Sequence, residues 1–339
     1  MRFVHTADTH LGFDITRIPQ HDPEGRSNRS ACIFHNFEMT VHHAITIEAD
    51  LFIHSGDLFN KYYVPSNILY ELTEPISRLS QKGIKVLLIP GNHERSEFPF
   101  ELFHGASNVM VFDCPKSVSL ELNGYAVGIA GFPFIKENSK RLFHEALEET
   151  EYQHLRSDFN MLITHQAFEG ATVGPVDFTF SARRSDTVPR HTIPLDFDYI
   201  AAGHIHRYQI LQHPFKPELQ LVYPGSTQRM SFAEMYEDKY FVEGEVLNNR
   251  IETRRIPLPV YDMEIVEIKA AGMTGSECEK AITDQFWRFN RELVIRFSLT
   301  GGSKARDYPD VDFNKIRSMA PPILECQFAA KVGNRWVQR

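Results

Sequence analysis

The run KVLLIPGNHE, residues 85–94, is apolar at four successive positions, breaks at Pro90-Gly91, and ends on an amide, an imidazole and a carboxylate. Apolar residues at successive strand positions mean that both faces are covered. Residues 86–89 therefore predict an interior strand of a layered α/β fold. Outward along the chain the same pattern recurs in FVHTADTH (3–10), LFIHSGD (51–57), MLITH (161–165) and YIAAGHIH (199–206). Each is an apolar run that ends, within one to three residues, on Asp or His. In layered α/β folds the loops beyond strand ends are where side chains distant in sequence converge. By strand alternation Asp8 and His10 are expected on one side of an extending strand, and His204 and His206 likewise. Gly56, Gly91 and Gly203 each immediately precede a polar candidate, where a missing Cβ permits a tight turn or a close approach.

Seven candidate metal ligands follow: Asp8, His10, Asp57, Asn92, His165, His204 and His206. Carboxylate, amide oxygen and imidazole together form a mixed oxygen and nitrogen set, which suits manganese, iron or zinc better than calcium or magnesium. One such residue at a strand end proves little; five motifs in register are hard to obtain by accident. Ten further histidines, His5, His35, His42, His43, His54, His104, His144, His154, His191 and His213, read as ordinary surface or packed residues, with His54 turned inside by alternation.

The remaining sequence sets the frame. Short apolar runs alternate with longer amphipathic ones over about the first 215 residues, as α/β layers require. Strands are predicted at 2–6, 51–54, 85–89, 126–131, 161–164, 199–202 and 220–222, and helices at 30–48, 67–82 and 140–152. Residues 239–246 and 250–256 predict a hairpin turned by Asn248 and Asn249. IPLPVYD, at 256–262, reads as a linker, and 263–328 as a small β-α-β unit with strands at 263–269, 293–299 and 323–328 and helices near 276–290 and 313–319. The expected domains are 1–258 and 259–339. A net charge of −8 argues against a generally basic coat but leaves room for a local basic groove. Cys32, Cys114, Cys278 and Cys326 form no C-x-x-C pair, which argues against a zinc knuckle or disulfide framework. Met1 leads directly into an apolar run, and no run approaches the ~20 residues that span a bilayer, so a cytoplasmic protein without membrane segments is expected.

The order D-x-H, G-D, G-N-H-[DE], H, G-H-x-H resembles the calcineurin-like metallophosphoesterases. The phrases HTADTHLGF, HSGDLFN, IPGNHE, THQ, FDYIAAGHIHR and YPGSTQRMSFAE are similar to the nuclease subunit of the SbcCD and Mre/Rad double-strand-break repair complexes. The resemblance is specific over about 1–235 and architectural beyond. It implies an α/β/β/α sandwich with a small α+β capping domain that contacts DNA. One divalent ion, manganese by expectation, would take Asp8, His10, Asp57 and His206. A second would take Asp57, Asn92, His165 and His204, with Asp57 bridging. His93 would act on the leaving group, oriented by Glu94. Family members often follow G-D-L-F with a His or a polar run; this chain has Asn60, Lys61, Tyr62 and Tyr63 there, and so departs from the family pattern of a second histidine near the leaving group.

Between His165 and His204 lies an aromatic and arginine-bearing stretch, in which Arg183 and Arg184 are candidate DNA contacts set against a solvated charge pair. The resemblance further implies a homodimer, through helices such as 67–82, and an SMC-like ATPase partner. A metal-dependent DNA exonuclease and single-strand endonuclease is the leading expectation. The alternatives are a general phosphodiesterase on small substrates and a non-catalytic DNA-end-binding scaffold.

Overall fold

The computed structural model describes residues 1–13, 28–61, 63–94, 98–99, 103, 106–247, 250–332 and 335–338. They divide into two compact units, Met1–Phe13 with Cys32–Pro259, and Val260–Arg339 with 28–31 of the first helix.

In chain order the first unit contains β1 (Arg2–Thr6), α1 (Asn28–Thr46) from Cys32 onward, β2 (Leu51–His54), α2 (Ser66–Gln81), β3 (Lys85–Leu88), β4 (Val109–Val111), β5 (Lys116–Leu122) and β6 (Tyr125–Gly131). It continues through α3 (Ser139–Glu149), β7 (Phe159–His165), β8 (Thr172–Val173), β9 (Phe178–Thr179), β10 (Tyr199–Gly203), β11 (Gln209–Gln212), β12 (Gln220–Tyr223), β13 (Lys239–Leu247) and β14 (Arg250–Leu258). Among the described residues these strands form two six-stranded sheets, ordered β14-β13-β1-β2-β3-β4 and β11-β12-β10-β7-β6-β5, and the small ribbon β8-β9.

Strand alternation builds the layers. Phe3, Leu51, Ile53, Leu87 and Ile89 of the first sheet share one core with Val127, Ile129, Met161, Ile163, Tyr199 and Ala201 of the second. Their neighbours Val4, Phe52, Val86 and Leu88 face the other way, onto Ile33, Phe37 and Val41 of α1 and Leu72, Ile76 and Leu79 of α2. Ala130, Leu162, Ile200 and Ala202 likewise meet Phe143 and Leu147 of α3. The result is the expected α/β/β/α sandwich, in which a one-residue slip of any central strand would exchange its two cores.

The strands that matter for the site run parallel. β1, β2 and β3 pair in one direction in the first sheet, and β7 with β10 in the second. Their C-terminal ends, followed by every candidate ligand, open at the same end of the sandwich.

The end of the late hairpin differs from expectation. The linker proposed from 256 starts later, because Ile256, Pro257 and Leu258 pair with Phe241, Tyr240 and Lys239. Pro257 is tolerated because β14 is the outermost strand of its sheet, where a missing N–H breaks no central ladder. The turn expected at Asn248 and Asn249 lies outside the described residues, although Leu247 pairs with Arg250 across it.

The second unit holds β15 (Met263–Lys269), α4 (Gly275–Thr283), β16 (Leu293–Thr300), α5 (Phe313–Met319), β17 (Leu324–Val332) and β18 (Arg335–Gln338), with sheet order β15-β16-β17-β18. A capping box starts α4, Thr274 Oγ1 accepting from Glu277 N while the Glu277 carboxylate accepts from Thr274 N. That helix is shorter than the 276–290 expected: it stops at Thr283, and Phe286–Arg288 form a separate 3₁₀ turn that buries Phe286. Cys278, Ile282, Phe297, Ile316 and Phe328 form the core of this unit. No helix among the described residues is long and apolar enough to cross a membrane.

Candidate metal centre

Four of the seven candidate ligands sit in left-handed backbone: Asp8 at φ 49°, His10 at 53°, Asp57 at 53° and His204 at 87°. This corrects the simple alternation argument. β1 ends at Thr6 and β10 at Gly203, so a pleat does not carry Asp8, His10 or His204 to their places. Left-handed turns do, and such residues cost of order 1–3 kcal/mol unless the surroundings hold them. Backbone cross-links supply the hold. Asp8 N donates to the Gly56 carbonyl (3.0 Å), His10 N to Asp57 O (3.0 Å) and Leu11 N to Leu58 O (2.8 Å). His204 N donates to both oxygens of the Asp8 carboxylate at 3.1 Å. Gly91 is required by space: a Cβ there would overlap the Asp57 carboxylate and its backbone nitrogen.

The side chains converge. His10 Nε2 lies 3.1 Å from His206 Nε2 and 3.9 Å from Asp57 Oδ2. His165 Nε2 lies 3.4 Å from Asp57 Oδ2, 3.9 Å from Asp8 Oδ1 and 3.1 Å from Asn92 Oδ1. His204 Nδ1 is 2.7 Å from the same Asn92 oxygen. Among the described residues three groups hold donor atoms within metal-sharing distance: Asp8 with His10 and His206, Asp8 with Asp57 and His165, and His10 with Asp57 and His93.

Burial pushes the His10 ring well below its ordinary range and His204 down to about 3, whereas in His165 burial is outweighed, with the Asp57 charge foremost, and the ring is pushed up to about 9. Burial works to raise the Asp57 carboxyl, yet the charge and hydrogen bond of His165 hold it far below the usual carboxylate range. Carboxylate, amide and imidazole donors packed this closely form a set that fits divalent cations. The cluster suits a dimetal site.

His93 and Glu94 part company. The His93 ring stands at the rim, 40% exposed, with Nε2 3.9 Å from Asp57 Oδ2. Its Nδ1 lies 2.7 Å from the Asn60 carbonyl, and its backbone N donates to Asp57 Oδ1 at 2.9 Å. The Asn60 carbonyl therefore orients the ring, the task expected of Glu94. Glu94 is buried, and its two oxygens accept from Phe59 N and Gly91 N, each at 2.8 Å. Burial, and then the Asp57 charge, push its carboxyl up to about 8. Tyr62, one of the residues that follow G-D-L-F, lies outside the described residues.

Several residues behind the cluster were passed over in the sequence. His5 is fully buried and bridges Tyr199 (2.9 Å) and Ser55 (2.9 Å), while the Ser55 carbonyl accepts from His165 Nδ1 at 2.8 Å. His54 is buried as alternation required, on Thr9 Oγ1. Glu234 contacts His206 Nδ1 at 3.2 Å, from a segment that carries none of the candidate ligands. Apart from the burial of His54, nothing in a bare sequence marks these contacts, because each is made by the fold. Arg183 and Arg184 lie on the arm that follows β9. Arg184 is engaged there by Asp186 (2.8 and 2.6 Å) and lies over the rings of Phe178 and Phe180, and Arg183 is exposed.

Comparison with known proteins agrees with this geometry. Residues 1–208 match the calcineurin-like phosphoesterase family. The DNA double-strand break repair protein Mre11 of Methanococcus maripaludis is 30% identical over 249 residues, 70% of this chain and 60% of that protein. The Mre11 of Methanocaldococcus jannaschii is 27% identical, over 79% of this chain and 67% of its own length. The SbcD component of the nuclease SbcCD of Staphylococcus saprophyticus is 25% identical, over 91% of this chain and 80% of its own. With the family matched over more than half of its length, and a donor cluster that suits two metals at the expected strand ends, this chain belongs to the calcineurin-like phosphoesterases.

Proposed function

We propose that this chain is a two-metal-dependent DNA nuclease, exonuclease and single-strand endonuclease, that hydrolyses phosphodiester bonds in double-strand-break repair. The observation that carries the reading is the convergence of Asp8, His10, Asp57, Asn92, His165, His204 and His206 in a chain similar to proteins named for break repair and for a nuclease. Residues 1–258 would form the nuclease domain and 259–339 the capping domain.

Asp8, His10, Asp57 and His206 would hold one ion, and Asp57, Asn92, His165 and His204 the other, with manganese the metal such mixed donors suit. Bound there, divalent ions supply Lewis-acid polarisation of a phosphate and an acidified water. The chain's own contribution is positional. The Asn60 carbonyl can only accept, so His93 Nδ1 carries hydrogen and Nε2 is turned toward the cluster. Nε2, 3.9 Å from Asp57 Oδ2, stands at the rim of the cluster, where the ring would pass a proton to the departing oxygen. Glu94 works one step back, tying the loop after Asp57 to the turn before Asn92.

Arg183 and Arg184 would meet DNA phosphates, the exposed Arg184–Asp186 pair being weak enough to exchange. A homodimer, an SMC-like ATPase partner and a cytoplasmic setting complete the reading, on the likeness to the SbcCD and Mre proteins.

The test is cleavage of end-labelled duplex and single-stranded DNA with manganese by wild type, His93→Ala and Asp57→Ala. Degradation that both substitutions abolish supports the reading. DNA left intact while bis-p-nitrophenyl phosphate is turned over points to a small-substrate phosphodiesterase.

A further inference from the structure

Behind the loop that carries His204 and His206 runs segment 226–239, and it holds a buried charged network. Glu234 Oε1 lies 3.2 Å from His206 Nδ1 and accepts from Ser231 Oγ at 3.2 Å. Its Oε2 accepts from Lys239 Nζ (2.7 Å), Met230 N (3.2 Å) and Ser226 Oγ (3.3 Å). Lys239, only 1% exposed, also donates to the His206 carbonyl (2.9 Å) and to Glu237 (3.2 Å). Glu237 in turn accepts from Arg207 Nε at 2.8 Å, one residue past His206.

Burying a lysine and a glutamate is expensive, and a well-packed apolar pair would fill the space at no loss of stability. The polar choice has a chemical consequence for the ring it faces. A carboxylate ringed by an ammonium, an amide and two hydroxyls is ionised and can only accept. Nδ1 of His206 therefore carries hydrogen, and a neutral ring keeps its lone pair on Nε2. That atom is the one facing His10 Nε2 in the donor cluster.

We propose that Glu234, seated by Lys239, is the positioning residue that fixes the tautomer and direction of the His206 ring. Segment 226–239 is then part of the metal-binding apparatus although it supplies no ligand. The inference rests on the two-metal reading and deepens it. Carboxylate–histidine–metal arrangements of this kind change metal affinity by about 10–100-fold when the carboxylate is removed.

The experiment is calorimetric titration of manganese into the chelator-stripped whole chain, with melting of each metal-free protein alongside. Wild type, Glu234→Gln, His206→Asn and the combination of the two are compared. Glu234→Gln alone leaves the buried Lys239 ammonium with Glu237 and the His206 carbonyl but without its nearest carboxylate, so Glu234→Gln/Lys239→Met, which removes both charges, is run as a second variant. The expected result is two ions for wild type, with one of them weakened about 10–100-fold by Glu234→Gln and by the charge-free pair. In the His206→Asn background Glu234→Gln should then change affinity less than about twofold, because it acts through the ring. Wild-type affinity in Glu234→Gln, or the same loss with and without His206, overturns the inference and leaves the two-metal reading standing. A wild type that takes up no ion overturns both.

Discussion

Replacing Glu94 with alanine should loosen the candidate metal centre without touching a candidate ligand. Its carboxylate is 1% exposed and joins two loops, accepting from Phe59 N beyond Asp57 and from Gly91 N before Asn92, both at 2.8 Å. Truncation leaves two buried N–H groups without an acceptor, each at about 1–3 kcal/mol. Part of that loss is offset, because burial and the Asp57 charge push the carboxyl up to about 8 and make its ionised form costly. The net expectation is a destabilisation of roughly 2–4 kcal/mol, with Glu94→Gln, which keeps one accepting oxygen, losing about half as much. For a unit of this size that is a fall of roughly 5–15 °C in the melting midpoint. Calorimetric melting in chelator measures it, and manganese titration of the same protein measures the loosened loops. A Glu94→Ala protein that melts within about 3 °C of wild type would refute the clamp, since stranded buried amides cannot be that cheap.

Three further outcomes follow from the geometry. Burial pushes the His5 ring down to about 3 from an ordinary 6.5, so the unfolded chain takes up a proton that the folded chain refuses. Stability is complete above pH 6.5 and falls as pH drops toward 3, by about 2 kcal/mol between pH 6.5 and 5, and parallel wild-type and His5→Gln stability profiles would count against it. Gly91→Ala places a methyl group on the Asp57 carboxylate and should cost at least one bound manganese, as elemental analysis of the loaded protein reads; two retained ions would contradict the steric argument. Arg183→Ala/Arg184→Ala should weaken duplex binding and flatten the slope of log affinity against log salt by up to about 1.8, and an unchanged slope would remove both residues from the interface.

The layers and the gathering of the candidate ligands were legible because they rest on local rules. Apolar runs such as VLLI and LFI become central strands, with alternate residues divided between two cores, and the polar residues just past them gather at one end of the sandwich. The path taken by Asp8, His10 and His204 was not legible, because left-handed turns replace the pleat and are set by cross-links to loops about fifty and two hundred residues away. The division of labour in GNHE was misread for a related reason. The resemblance assigns Glu94 to the His93 ring, yet the Asn60 carbonyl takes that ring and the Glu94 side chain turns inward to the backbone. Glu234 was invisible as a partner of His206 because twenty-eight residues and two strands separate them. Pro257 suggested a linker, where an edge strand tolerates it.

The left-handed backbone at Asp8 and Asp57 bears on how this site can decay over evolutionary time. Residues that enter that conformation at little cost are glycine, asparagine and aspartate, and most others meet the carbonyl beside their Cβ. A descendant that has abandoned catalysis is released from the need for a carboxylate but not from the need for the turn. Drift at positions 8 and 57 should therefore run to Asn or Gly, and an Ala or Val there would mark a rebuilt loop rather than a simple loss of chemistry.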